Sequence, residues 1–97
     1  MVIRHIVLLK LNEHATPELL DRIDAELRGL DAPGRINFEM GRDLGLRDGN
    51  MDLAITNDFE TVEDYKAYDH DDDHERIRHA YIHPITERAE RVQFTLR

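Results

Sequence analysis

The chain has 97 residues, too few for two independent cores, so a single domain over residues 1–97 is expected. Thirteen basic against twenty-one acidic side chains leave a formal charge of −8, which argues against nucleic acid or an anionic membrane as the main partner. With neither cysteine nor serine, the chain has no disulfide, thiolate metal site, cysteine nucleophile or serine–histidine–acid triad. The opening Met1-Val2-Ile3-Arg4-His5-Ile6 lacks the layout of a secretory signal, and no apolar run nears the roughly 20 residues of a membrane span. A soluble, cytoplasmic protein is the expectation.

Val2 to Leu11 is the most apolar stretch. Its odd positions carry Ile3, His5, Val7, Leu9 and Leu11, its even ones Val2, Arg4, Ile6, Leu8 and Lys10, so neither face is purely polar and a central strand is predicted. Thr16-Pro17-Glu18 reads as a helix start: a hydroxyl cap, a proline pre-set for the first turn, and an acid at the positive dipole end. Leu20, Ile23, Leu27 and Leu30 follow at helical spacing, and Asp31-Ala32-Pro33-Gly34 ends the helix. Ile36, Phe38 and Met40 alternate with Asn37 and Glu39 as a second strand, and the three glycines between Gly41 and Asn50 mark a connection.

Met51, Leu53 and Ile55 open a third strand running to Phe59. Thr61-Val62-Glu63-Asp64 resembles a capping box with aspartate in the acidic place, followed by a short helix with Tyr65 and Tyr68. Asp69 to Asp73 interrupts that helix or opens another, which carries His74, Ile77, Arg78 and Tyr81 on one stripe and reorganises near Pro84. Val92, Phe94 and Leu96 alternate with Gln93, Thr95 and Arg97 as the last strand.

This βαββαβ order predicts an α+β, ferredoxin-like sandwich with a four-stranded antiparallel sheet and helices on one face. Ile6 and Leu8 then point away from the helices. Their exposure forfeits roughly 1.5–3 kcal/mol each, which a second sheet stacked face to face recovers, so a homodimer is predicted. Asp52, Thr56, Gln93 and Thr95 are expected to make that outer face only partly apolar.

Ile3-Arg4-His5-Ile6-Val7-Leu8-Leu9-Lys10 resembles the opening strand of the stress-responsive α/β-barrel (Dabb) family. Phe59-Glu60-Thr61-Val62-Glu63-Asp64-Tyr65-Lys66-Ala67-Tyr68 is similar to that family's strand-to-helix segment. The spacing from Tyr68 to His74 and on to Pro84 also fits, although Asp71 and Asp72 stand where the family commonly has a His-Pro pair. The resemblance implies a dimeric α+β barrel with a pocket between sheet and helices. In olivetolic acid cyclase, a family enzyme of polyketide metabolism, a tyrosine and a histidine catalyse an aldol cyclisation near a first-strand histidine; those positions look like Tyr68, His74 and His5. A further pocket histidine on the third strand has no counterpart, since that region reads Met51-Asp52-Leu53-Ala54.

His5, Tyr68 and His74 are accordingly the candidate catalytic residues, with Ile3, Val7 and Leu9 as apolar, ligand-binding walls. His74 would take a proton from a carbon acid while the Tyr68 hydroxyl steadies the enolate oxygen, a cyclase or isomerase chemistry on a carbonyl, polyketide-like compound that needs no cofactor. The plainer alternative is a hydrogen-bonded structural histidine beside a packed tyrosine, in a stress-associated structural or assembly protein without turnover. Asp69-His70-Asp71-Asp72-Asp73-His74-Glu75 sets two histidines four apart among carboxylates, but a solvated acidic loop is expected and no metal is assigned. His79 and His83 repeat the spacing without a flanking carboxylate. Asp48-Gly49-Asn50-Met51-Asp52 lacks the later glycine and glutamate of a calcium loop. Six aromatics that do not interleave with basic residues leave nucleic-acid readout without support.

Overall fold

Four strands and a bent run of helices form a two-layer sandwich in the computed structural model, which describes residues 1–97. The elements are β1 (Ile3–Leu11), α1 (Pro17–Arg28), β2 (Arg35–Arg42), β3 (Leu53–Phe59), α2 (Val62–Asp69), α3 (Asp72–Ile77) and β4 (Thr86–Thr95). The sheet order is β2-β3-β1-β4, every neighbouring pair antiparallel, so β1 is central. No helix is long and apolar enough to cross a membrane.

The local signals act as read. Thr16 accepts from the Leu19 amide at 3.2 Å and caps α1, whose Leu20, Ile23 and Leu27 are buried against Leu9, Phe38, Leu53 and Ile55 of the sheet. Thr61 caps α2 by accepting from the Asp64 amide at 3.1 Å, and donates its hydroxyl to the Asp64 carboxylate at 2.8 Å. The aspartate is one methylene too short for the usual reach back to the cap backbone and turns to the cap hydroxyl instead. Asp71 caps α3 by accepting from the His74 amide at 3.0 Å, so the 69–73 run spans the end of α2, capped by His70, and the start of α3. Beyond α3 the chain widens into a π-helical turn (Arg78–Ile82) and tightens into a 3₁₀ turn (His83–Ile85) around Pro84.

Register corrects two expectations. Directly opposite residues of an antiparallel pair share a face. Gln93 lies opposite His5 and Thr95 opposite Ile3, so both face the helices, while Val92 opposite Ile6 and Phe94 opposite Arg4 take the outer face. That outer face is more apolar than the sequence pattern suggested. In β2 a register shift between Arg35 and Asn37 breaks the alternation: Phe38 is buried, whereas Ile36 is displaced from the Phe38 row and exposed. β4 also begins at Thr86, well before Val92, because antiparallel pairing with all of β1 recruits the charged stretch 87–91 that hydrophobicity alone does not mark.

Gly34 sits at φ +83° in the turn into β2, and its carbonyl accepts from the Glu60 amide at 2.9 Å. An added Cβ would overlap the Asp64 side chain. Gly34→Ala is therefore expected to cost about 2 kcal/mol from backbone strain and displacement of the Asp64–Thr61 bond, read as a lower denaturation midpoint with an unchanged m-value.

Candidate functional site

The inward face of β1 carries Ile3, His5, Val7 and Leu9, and His5 is the one polar member. His5 is buried, and so is Asn57 directly opposite on β3. Their neighbours Val7 and Ile55, also opposite each other, continue the floor of a cavity of about 120 Å³ between the sheet and the helices. Leu27 of α1 and Ile82 of the π turn add apolar wall, and α2 and α3 supply Tyr68 and His74. Of the predicted residues, His5, Val7, Leu9, Tyr68 and His74 line this one space. Ile3 does not; it lies further along β1, opposite Phe59, in the packing beside the cavity.

The helix break places Tyr68 and His74. Their rings stack at 4.0 Å with 26° between planes, and His74 Nδ1 lies 2.9 Å from the Tyr68 carbonyl oxygen. A carbonyl only accepts, so Nδ1 holds the imidazole proton and Nε2 keeps the lone pair. His5 has the opposite tautomer. Its Nδ1 meets the Gln93 amide nitrogen at 2.9 Å, a group that only donates, so the His5 proton is on Nε2. The His5 ring is further held by Tyr65, 4.8 Å away.

Burial sets the charge states. It lowers His5 from its ordinary value to about 4, with the Asp69 charge pulling the other way and His74, Arg91 and Arg78 reinforcing it. Burial also lowers His74, opposed by its bond to the Tyr68 carbonyl. Tyr68 is pushed up to about 12 by burial, against the pull of Arg35 and Asn57. At neutral pH the cavity holds two uncharged imidazoles, one with a free lone pair and one with a free N–H, beside a protonated phenol. Such a set can accept a proton from a bound molecule and donate hydrogen bonds to a developing oxyanion.

Several lining residues were not singled out by sequence. Asn57 is 1% exposed and accepts from Arg35 Nη1 at 3.3 Å; the same arginine donates to the Leu27 and Arg28 carbonyls at 3.0 Å each, tying the end of α1 to the sheet. The alternation Leu53, Ile55, Asn57, Phe59 marks Asn57 as an inward polar group and was the available signal. Arg78 donates to the Asp69 carboxylate at 3.1 Å, to its carbonyl at 2.9 Å and to Glu75, while its Nε is buried without a partner. Arg78, on the stripe it shares with His74, and Asp69, at the helix break, also line the cavity, as does Arg91, which nothing in the local sequence marks.

The acidic run does not form the arrangement its spacing allows. His70 ends α2 and is exposed whereas His74 is buried in α3, so the helix break separates them. His79 does have a carboxylate partner, Glu75 four residues earlier, at 2.8 Å from Nε2, and its ring meets His83 at 4.8 Å. No group of three or more His, Asp or Glu side chains is arranged to hold a metal ion.

The same fold occurs in solved structures. A dimeric ferredoxin-like protein of unknown function from Thermobifida fusca is 36% identical with a TM-score of 0.87, over 99% of this chain and 92% of the other. A hydroxynitrile lyase from Passiflora edulis is 20% identical (TM-score 0.84; 99% and 94% covered). SnoaB, a cofactor-independent oxygenase from Streptomyces nogalater, is 12% identical (TM-score 0.77; 99% and 93% covered). At those identities the two enzymes share the fold and nothing finer. No curated protein matches the sequence. The model of the stress responsive A/B barrel domain matches residues 3–96, and the chain belongs to that family, Dabb.

Proposed function

We propose that the protein is a homodimer whose subunits each bind a small carbonyl compound in the cavity between sheet and helices and act on it by cofactor-independent acid–base chemistry. The observation that carries this reading is the pair of opposite tautomers, His74 with a lone pair on Nε2 and His5 with a proton there, lining one cavity with Tyr68. His74 removes a proton from the carbon next to the carbonyl. The oxygen that gains charge is met by the Tyr68 hydroxyl and the His5 N–H, and the proton returns from His74 at another carbon or after ring closure.

Size narrows the ligand. About 120 Å³ is slightly less than the ~150 Å³ cavity that takes one benzene ring, so a single ring or short branched chain fills it and a longer polyketide-like chain extends through the mouth. The Passiflora lyase and the Streptomyces oxygenase support the fold's capacity for small-molecule chemistry; they do not name this reaction. Support for the dimer comes from the outer sheet face, where Ile6, Leu8, Val92 and Phe94 form an apolar row, and from the 36% identical relative described as dimeric.

The test is deuterium uptake from D₂O next to the carbonyl of cyclohexanone, followed by NMR, alongside thermal shift with ring-sized ketones and phenols. His74→Gln is expected to reduce uptake by about 10²-fold or more, and Tyr68→Phe by about tenfold, with melting temperatures moving by only a few degrees. A wild-type protein that neither exchanges nor is stabilised by any of these compounds would leave the cavity a packing feature of a non-catalytic protein.

A further inference from the structure

Charge is distributed unevenly around this cavity. The chain carries −8 in total, yet the cavity lining contains two arginines and one aspartate, and that aspartate, Asp69, is already engaged by Arg78. What remains is the charge of Arg91. It stands on β4 opposite Val7, one inward position from the Gln93–His5 pair, and is exposed at the cavity rim. Most of the arginines have a carboxylate within reach, Arg4, Arg22, Arg28, Arg42, Arg76 and Arg88 among them. Arg35 is taken up by carbonyls; Arg47 lies in the exposed β2–β3 connection and Arg97 at the chain end. Arg91 is the one cation without a carboxylate partner that lines the cavity.

A second observation lies across the same space. Arg78 Nε is buried and has no hydrogen-bond partner, although the rest of that guanidinium is bound to Asp69 and Glu75. With its other nitrogens committed and Nε closed off, Arg78 offers a ligand no free donor, and Arg91 is the lining arginine left to meet one. The apolar floor and the small volume ask for a ring or branched chain, and the rim offers a planar cation suited to a carboxylate.

Building on the pocket reading above, we infer that the ligand is a small monocarboxylate, its apolar body on Val7, Ile55 and Leu27 and its carboxylate held at the rim by Arg91. Arg91 is then the residue that selects charged over neutral ligands, in a protein whose overall charge repels anions. An inward charge on an edge strand also discourages edge-to-edge pairing; that role makes no demand on ligand charge, and matched probes separate the two.

The experiment is calorimetric titration of the wild type, Arg91→Gln and Arg91→Lys with benzoate against benzamide, isovalerate against isovaleramide, and inorganic phosphate as an anion with no apolar body. Wild type is expected to bind each acid at least tenfold more tightly than its amide and to bind phosphate weakly. Arg91→Gln erases the acid–amide difference without changing amide affinity, and Arg91→Lys retains part of it. Equal binding of acid and amide by the wild type overturns the inference and leaves the pocket reading standing, as does an acid preference that survives in Arg91→Gln. Phosphate binding as tight as benzoate's overturns it by exposing a bare anion site. Failure of every probe, amides included, overturns the inference and the pocket reading together.

Discussion

Taking the protein from pH 7 to pH 4 should lower its unfolding free energy by on the order of 3 kcal/mol through His5 alone. The folded-state value of about 4 lies below the ordinary 6.5, because burial penalises the imidazolium. Above pH 6.5 both folded and unfolded chains hold a neutral His5 and nothing is lost. Between 6.5 and about 4 the unfolded chain binds a proton that the folded chain refuses, so stability falls with pH at up to about 1.4 kcal/mol per unit. His74 shifts in the same direction for the same reason and steepens the loss.

The carboxylates leave the upper part of this window clear: Glu75, held low by its bond to Arg78, loses its contribution only below its ordinary 4.5. Asp58 is held below the ordinary carboxylate range by its bond to Arg4 at 2.8 Å, and Asp52 by the Leu11 amide at 2.8 Å. Their depressed values make a stabilising contribution that is present above the ordinary 3.8 and lost only below it. Denaturant unfolding at pH 7, 5.5 and 4.5, at one protein concentration, reads the histidine effect. His5→Gln, which keeps a hydrogen-bonding group without a titrating one, should flatten the pH slope and leave only the part that His74 carries. A wild-type stability independent of pH from 7 to 4.5 would mean that neither imidazole is held neutral by the fold.

The second large effect concerns assembly. Replacing Leu8 by Lys and Val92 by Glu should convert a dimer into folded monomers at micromolar concentration. Leu8 is 36% exposed, Val92 52% and Phe94 43%, side by side on the outer face of β1 and β4. Leu44 and Leu46, 81% and 80% exposed in the β2–β3 connection, border a hollow with Leu8 that continues the apolar surface. Covering the Leu8 and Val92 side chains contributes about 1.5–3 kcal/mol each when burial is complete, and two-fold symmetry counts each twice. Even half of that weakens association by about 10²-fold, and burying the new charges adds to the loss. Neither side chain belongs to the inward core, so circular dichroism should remain that of the folded chain while sedimentation reports half the mass. A wild type that sediments as a monomer, or a variant that stays dimeric, rejects this interface.

The βαββαβ order, the caps at Thr16 and Thr61, the turn at Gly34 and the core row Leu20, Ile23 and Leu27 were all legible in the sequence. They depend on spacing and on side chains that bond to backbone within a few residues, which a linear pattern records. Legible too was His5 as a polar group on an inward apolar row, and the pair of Tyr68 and His74, whose relation arises within six residues across one helix break.

What tertiary structure alone decided is register and convergence. The outward turn of Val92 and Phe94 follows from pairing β4 against β1, because alternation along one strand marks two faces without saying which one meets the helices. Ile36 left its row through a bulge that no residue in β2 announces. Asn57, Arg78 and Arg91 reached the cavity from separate elements, 21 and 13 residues apart in sequence. Local chemistry is written residue by residue, whereas a cavity is the space left when distant elements pack, and its lining is known only once the sheet has closed beneath the helices.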